Sequence, residues 1–123
     1  MNLVDSCGWL EYFAGGPRAE LYASAIEDTA TLVVPTVVIL EVFKRVLQQR
    51  GEVAALLVAA AMQQGNVVDL DTPTALGAAT LGVAHGLPLA DSVILATSRT
   101  RGALVLTQDV HFRGLAGVRY CEP

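Results

Sequence analysis

Five short runs rich in apolar and β-branched residues, spaced along the chain by helix-length segments, constrain the fold more than any other feature of the sequence. They are NLVD at 2–5, TLVVP at 31–35, NVVDL at 66–70, LVLT at 104–107 and VRY at 118–120. Runs of this length, entered from a glycine or a chain end, read as strands of a parallel sheet. The segments between them read as helices. Ser6 caps a helix carrying Trp9, Leu10, Tyr12 and Phe13. GGP at 15–17 ends it, and Arg18 to Glu27 forms a second helix with Leu21, Ala25 and Ile26 facing inward. Thr36 opens a helix to Gln49, and Gly51 separates that from an apolar helix over 52–64. Thr72 caps another, with Pro73 at its first position, which runs to His85 with Gly86 as its C-cap, and Leu89 to Arg101 is the last. Alternating strands and helices predict an α/β domain of three layers, a short and mostly parallel sheet flanked by helices.

A chain of 123 residues makes one domain, 1–123, with a sizeable core. The apolar fraction of 53% raises the question of a membrane. The longest apolar run, Val53 to Met62, reaches only half of the ~20 residues that a spanning helix needs. It is a core or interface helix, and no membrane role follows. No basic stretch leads into an apolar one at the start, so the expectation is a cytoplasmic protein. Cys7 and Cys121 lie far apart and fit neither a disulfide framework nor a zinc motif. A net charge of −4 speaks against a general nucleic-acid coat.

Ligands of open parallel sheets bind outside the carboxyl ends of the strands. Asp5 and Asp109 follow the first and fourth strands at that edge. Asp91, in LADSVILATS, shares a helix face with Ile94, Leu95 and Ser98, the face turned toward the sheet. An acid there is also favoured by the helix dipole alone. Glu41, in PTVVILEVFKRV, is surrounded by apolar neighbours unless it pairs with Arg45 one turn on. A lone carboxylate in apolar surroundings costs several kcal/mol unless it is paired or binds a cation. The eight basic residues are too scattered to neutralise all four acids, whereas a metal ion would do so at once.

With LVDSCGWLEYF at the start, Glu41 after VVPTVVIL, LADSVILATS around Asp91 and VLTQDVHF around Asp109, the whole chain resembles the PIN-domain ribonucleases, most closely the VapC-type toxins of bacterial and archaeal toxin–antitoxin pairs. The resemblance implies that Asp5, Glu41, Asp91 and Asp109 converge on one pocket holding one or two magnesium or manganese ions. It also implies that Ser6 and Thr107 are supporting hydroxyls, and that RNA phosphodiesters are hydrolysed to a 5′-phosphate and a 3′-hydroxyl. One departure stands out, since the family often has an acid where this chain has His111.

The donor chemistry agrees. Hard divalent cations prefer oxygen ligands, and four carboxylates with no histidine or cysteine among them suit magnesium or manganese, not zinc. Asp5 and Asp91 are assigned as principal ligands, with Asp109 completing the site or holding a second ion, and Glu41 orienting or deprotonating the water. A cation inverts the sign of the pocket, so overall acidity does not exclude phosphate. Of the seven basic residues that follow Glu41, Asp91 or Asp109, Arg45 and Arg113 are the first candidates for RNA contacts.

Other classes fit less well. A receiver-type phosphoacceptor domain pairs two acids after its first strand and uses a late lysine, whereas Asp5 precedes Ser6 and Cys7 and Lys44 is the only lysine. A dinucleotide-binding domain needs glycines that VDSCGWLEYF lacks. A PIN-like binding module with weak or lost activity would not need all four acids.

Two partner expectations complete the reading. The apolar helix over 52–64 and the Ala-, Gly- and Leu-rich helix over 72–85 carry more apolar surface than one small domain hides, which predicts a homodimer. The resemblance also implies a small cognate antitoxin. Trp9, Tyr12 and Phe13 on the first helix are its candidate contacts, in a groove left by the first two helices hinged at GGP, unless they pack on the second helix instead.

Overall fold

A computed structural model of the protein describes residues 1–122. Its five strands are β1 (Asn2–Val4), β2 (Leu32–Pro35), β3 (Asn66–Val68), β4 (Leu104–Thr107) and β5 (Val118–Tyr120). The six helices are α1 (Ser6–Ala14), α2 (Ala19–Glu27), α3 (Thr36–Arg50), α4 (Glu52–Met62), α5 (Thr72–His85) and α6 (Leu89–Arg101). The sheet order is β3-β2-β1-β4-β5, and every pairing is parallel.

Helices cover both faces of the sheet, because neighbouring strand residues point to opposite faces and both sets are buried. Leu3 and Val4 on β1, and Leu32 through Pro35 on β2, are all inaccessible to solvent. The architecture is therefore three layers, α/β/α. Its core joins the strands to Trp9, Tyr22, Val38, Val42, Ile94 and Phe112. The outer strand β3 is the wettest, with Asn66 and Val67 exposed.

The strand order positions the site. From β1 the chain steps outward to β2 and β3, then returns to place β4 on the other side of β1 and continues to β5. The direction of winding reverses between β1 and β4, and the crevice at the carboxyl ends of such a pair is where ligands of doubly wound sheets sit.

Several local expectations shift. The cap of α1 is Asp5 rather than Ser6, its carboxylate accepting from Ser6 N–H, and the cap of α5 is Asp71 rather than Thr72, accepting from Thr74 N–H. A carboxylate caps a helix at least as well as a hydroxyl. On α2 the inward side chain is Tyr22, with Ala25 and Ile26, while Leu21 faces solvent. Among the described residues no single helix is long and apolar enough to cross a membrane, and both cysteines are free thiols.

Candidate active site

Register alone brings Asp5 to Thr107. Asn2, Leu3 and Val4 lie opposite Leu104, Val105 and Leu106, and Asp5 N–H continues the ladder to the Leu106 carbonyl at 3.0 Å. The next residue on β4 is Thr107. Its hydroxyl donates to Asp5 Oδ2 at 2.8 Å and accepts from Asp109 N–H at 3.0 Å, tying both strand tips together. Asp5 Oδ1 accepts Ser6 N–H at 2.8 Å, so Ser6 serves Asp5 through its backbone rather than its hydroxyl. Cys7 Sγ lies 3.5 Å from Asp5 Oδ2 and 3.4 Å from the Thr107 hydroxyl.

Asp109 caps a short 3-10 turn, Val110–Phe112, and its Oδ1 accepts His111 N–H at 3.0 Å. Phe112 anchors that turn in the core. The His111 ring folds back over the pocket, with Nδ1 3.0 Å from Asp109 Oδ1 and 3.4 Å from Asp91 Oδ2. One ligand atom from each of Asp91, Asp109 and His111 lies within 4.8 Å of the others. Asp91 enters from the first turn of α6, and Glu41 from the middle of α3.

The electrostatics register the crowding. Burial pushes the Asp91 carboxyl up to about 7, and the charges of Asp109 and Asp5 add to it, while His111 opposes. Asp5, 2% exposed, is raised by burial too, against the hydrogen bonds from Thr107 and Ser6. Glu41 is raised by burial and then by the charge of Asp5, with the Ser6 side chain working the other way. Glu41 Oε1 is buried with no hydrogen-bond donor. Among the described residues Glu41 makes no ion pair with Arg45, so the exposed i,i+4 bridge does not form. Burial and the Asp5 charge hold the Cys7 thiol up to about 12, which keeps it protonated and inert.

Four acids, one with an orphaned oxygen and one raised to about 7 by burial and then by its acidic neighbours, fit a hard divalent cation. The ligand atoms that come within 4.8 Å of one another are those of Asp91, Asp109 and His111, while Asp5 and Glu41 are close enough for their charges to act on Asp91. Next to the acids lies a cleft of about 440 Å³ bordered by Ser6, Leu10, Leu40, Glu41, Lys44 and Arg45. Arg45 thus belongs to the neighbourhood of the acids. Arg113 instead pairs with Glu122 at 3.5 Å and lies over the Tyr120 ring, 5.6 Å from its centre.

The three aromatics of α1 separate. Trp9 is 1% exposed and packed in the core, stacked on Phe13 at 5.7 Å, so it offers no contact surface. Tyr12 bonds to Glu27 at 2.8 Å across α1 and α2. Phe13 lines an apolar cleft of about 280 Å³ with Leu10, Val46, Ala54, Leu57 and Val58. That groove lies between α1 and the α3–α4 pair, not between α1 and α2.

His111 and Cys7 are the neighbours that sequence reasoning undervalued. The histidine registers there only as a missing acid. The available signal was its place two residues after Asp109, the span over which an Asp side chain caps a turn.

Fold and site together define an open, parallel α/β domain with an acidic pocket at its switch point. The chain belongs to the PIN-domain family, whose model matches residues 3–118. Among solved structures it is similar to a toxin–antitoxin complex from Klebsiella pneumoniae, at TM-score 0.83 and 20% identity over 97% of this chain and 96% of that one. The sarcin–ricin-loop-cleaving toxin VapC20 of Mycobacterium tuberculosis matches at TM-score 0.76 and 20% identity, over 97% and 99%. DNA-bound VapBC from Salmonella typhimurium matches at TM-score 0.73 and 17% identity, over 98% and 97%. At these identities the likeness is one of fold. No curated protein matches the sequence.

Proposed function

We propose that this protein is a divalent-metal-dependent endoribonuclease, the toxin of a toxin–antitoxin pair, held in check by a cognate antitoxin. The observation that carries the reading is the convergence of Asp5, Glu41, Asp91 and Asp109 at the switch point of a PIN domain, without enough positive charge to balance them. The toxin role draws support from neighbours in fold, a ribosomal-RNA-loop-cleaving toxin and toxin–antitoxin complexes among them.

Asp5 and Asp91 would hold the cation with Asp109, and Thr107 and the Ser6 N–H keep the Asp5 carboxylate turned toward it. When bound, magnesium or manganese supplies a more acidic water and stabilises charge on the phosphate. Glu41, half-buried and lacking a donor at Oε1, would orient the attacking water and take its proton. The water oxygen bonds to phosphorus, the bond to O3′ breaks, and the released O3′ takes up a proton. The products are a 5′-phosphate and a 3′-hydroxyl. Lys44 and Arg45, on the cleft beside Glu41, would receive the adjoining backbone phosphates.

The test is cleavage of structured and unstructured RNA by purified protein. Activity should vanish in chelator, return with magnesium or manganese, and be quenched by stoichiometric antitoxin. Glu41→Gln should slow it by about 10²-fold or more, and Asp91→Asn should reduce it at least as far. Undiminished cleavage in chelator, or by Asp91→Asn, would sink the proposal.

A further inference from the structure

We infer that His111 is itself a metal ligand, and that its ring nitrogen biases the pocket toward manganese and other first-row transition ions over magnesium. The inference rests on the metal-dependent reading above and goes beyond it in adding a nitrogen donor to an otherwise all-oxygen set.

The geometry comes from the turn. Asp109 caps Val110–Phe112 by accepting His111 N–H, and Phe112 is buried, so the turn is held at both ends. The ring lies over the pocket, where Nδ1 approaches Asp109 Oδ1 at 3.0 Å and Asp91 Oδ2 at 3.4 Å. Ligand atoms of all three residues fall within 4.8 Å of one another. A second observation comes from Asp91. Its side chain is 11% exposed and enters no side-chain hydrogen bond among the described residues; its ionic contact is His111 Nδ1 at 3.4 Å. A carboxylate so buried and so poorly paired, facing the imidazole and Asp109 together, marks a place for a cation between them.

Donor chemistry supplies the preference. Carboxylates and water suit magnesium, calcium and manganese alike, whereas imidazole is a donor for first-row transition ions, weakest for manganese and rising along the series to copper. Magnesium also gives up its water shell reluctantly, so a neutral nitrogen is a poor exchange for it. Coordination through Nδ1 leaves the ring proton on Nε2. With the His111 side chain 52% exposed, that proton has access to water.

The experiment is pulsed electron paramagnetic resonance on the full protein loaded with manganese, made once with natural-abundance histidine and once with ¹⁵N-histidine. Nitrogen modulation that changes with the isotope and disappears in His111→Asp supports the assignment. In parallel, calorimetric titration of parent and His111→Asp with manganese and with magnesium should show the manganese preference falling by about tenfold or more in the variant. Circular dichroism checks that the variant folds, as a half-exposed side chain permits. Manganese bound without histidine coupling, or with an unchanged ion preference in the variant, overturns this inference and leaves the acidic metal site standing. No binding of either ion overturns both.

Discussion

Asp91 is one of three acids at the site whose carboxyls are raised by burial. Its carboxyl sits near 7 instead of 3.8, chiefly because burial disfavours the charged form. The native state therefore holds a proton that the unfolded chain releases, and between these values stability falls as pH rises. The contribution is complete below about pH 4 and lost as pH passes through about 7; Asp5 and Glu41, also raised, act in the same sense. In chelator, the melting temperature should drop by about 5 °C or more between pH 5 and pH 8. Asp91→Asn, which cannot ionise, should flatten that slope and match or exceed the parent at pH 8. A flat profile for the parent, or an equal slope in the variant, would refute this origin of the pH dependence. The four acids themselves were readable from the sequence, because each follows a strand or interrupts an apolar face, where a charge needs a reason. His111 was not, since its importance depends on which way a three-residue turn aims its ring.

The close approach of α1 and α2 to β1 depends on one glycine. A Cβ on Gly8 would lie 2.6 Å from Val4 Cγ1 and 2.7 Å from the Tyr22 ring, both in the core. Alanine gains about 1 kcal/mol over glycine as a helix former, but overpacking a rigid core costs typically about 1–3 kcal/mol. The overlap should win. Thermal melts are expected in the order parent, Gly8→Ala, Gly8→Val, since valine adds bulk and is a poorer helix former. A valine variant melting at or above the parent would show that the helices can separate freely. Element types and most boundaries were legible, because period and punctuation are local signals. Helix phase was less so. Leu21 and Tyr22 are adjacent and both apolar, and the choice between them is made by the space that Gly8 leaves, which lies elsewhere in the chain. The caps at Asp5 and Asp71 went to the stronger acceptor, one residue before the hydroxyl expected to serve.

Across the whole molecule, apolar surface is left over. Val53 and Leu57 on α4 are 76% and 68% exposed, and Val83 on α5 is 89% exposed. A lone domain gains nothing by presenting such side chains to water, and we expect a two-fold homodimer that covers part of this surface. Light scattering at micromolar concentration should give twice the monomer mass, and Leu57→Glu should shift it toward one. A monomeric parent would refute the expectation. The sheet's membership was predictable from alternation, but its order was not, because pairing is decided between strands far apart in sequence. Asp5 is held by Thr107, 102 positions later, and the pocket also draws on residues 41, 91 and 109. Glu41 follows Asp5 closely in the chain, but the Asp5 carboxylate gains its Thr107 donor only once β4 lies beside β1. The acidic pocket is thus a product of long-range pairing and arrives with the sheet rather than with any one helix.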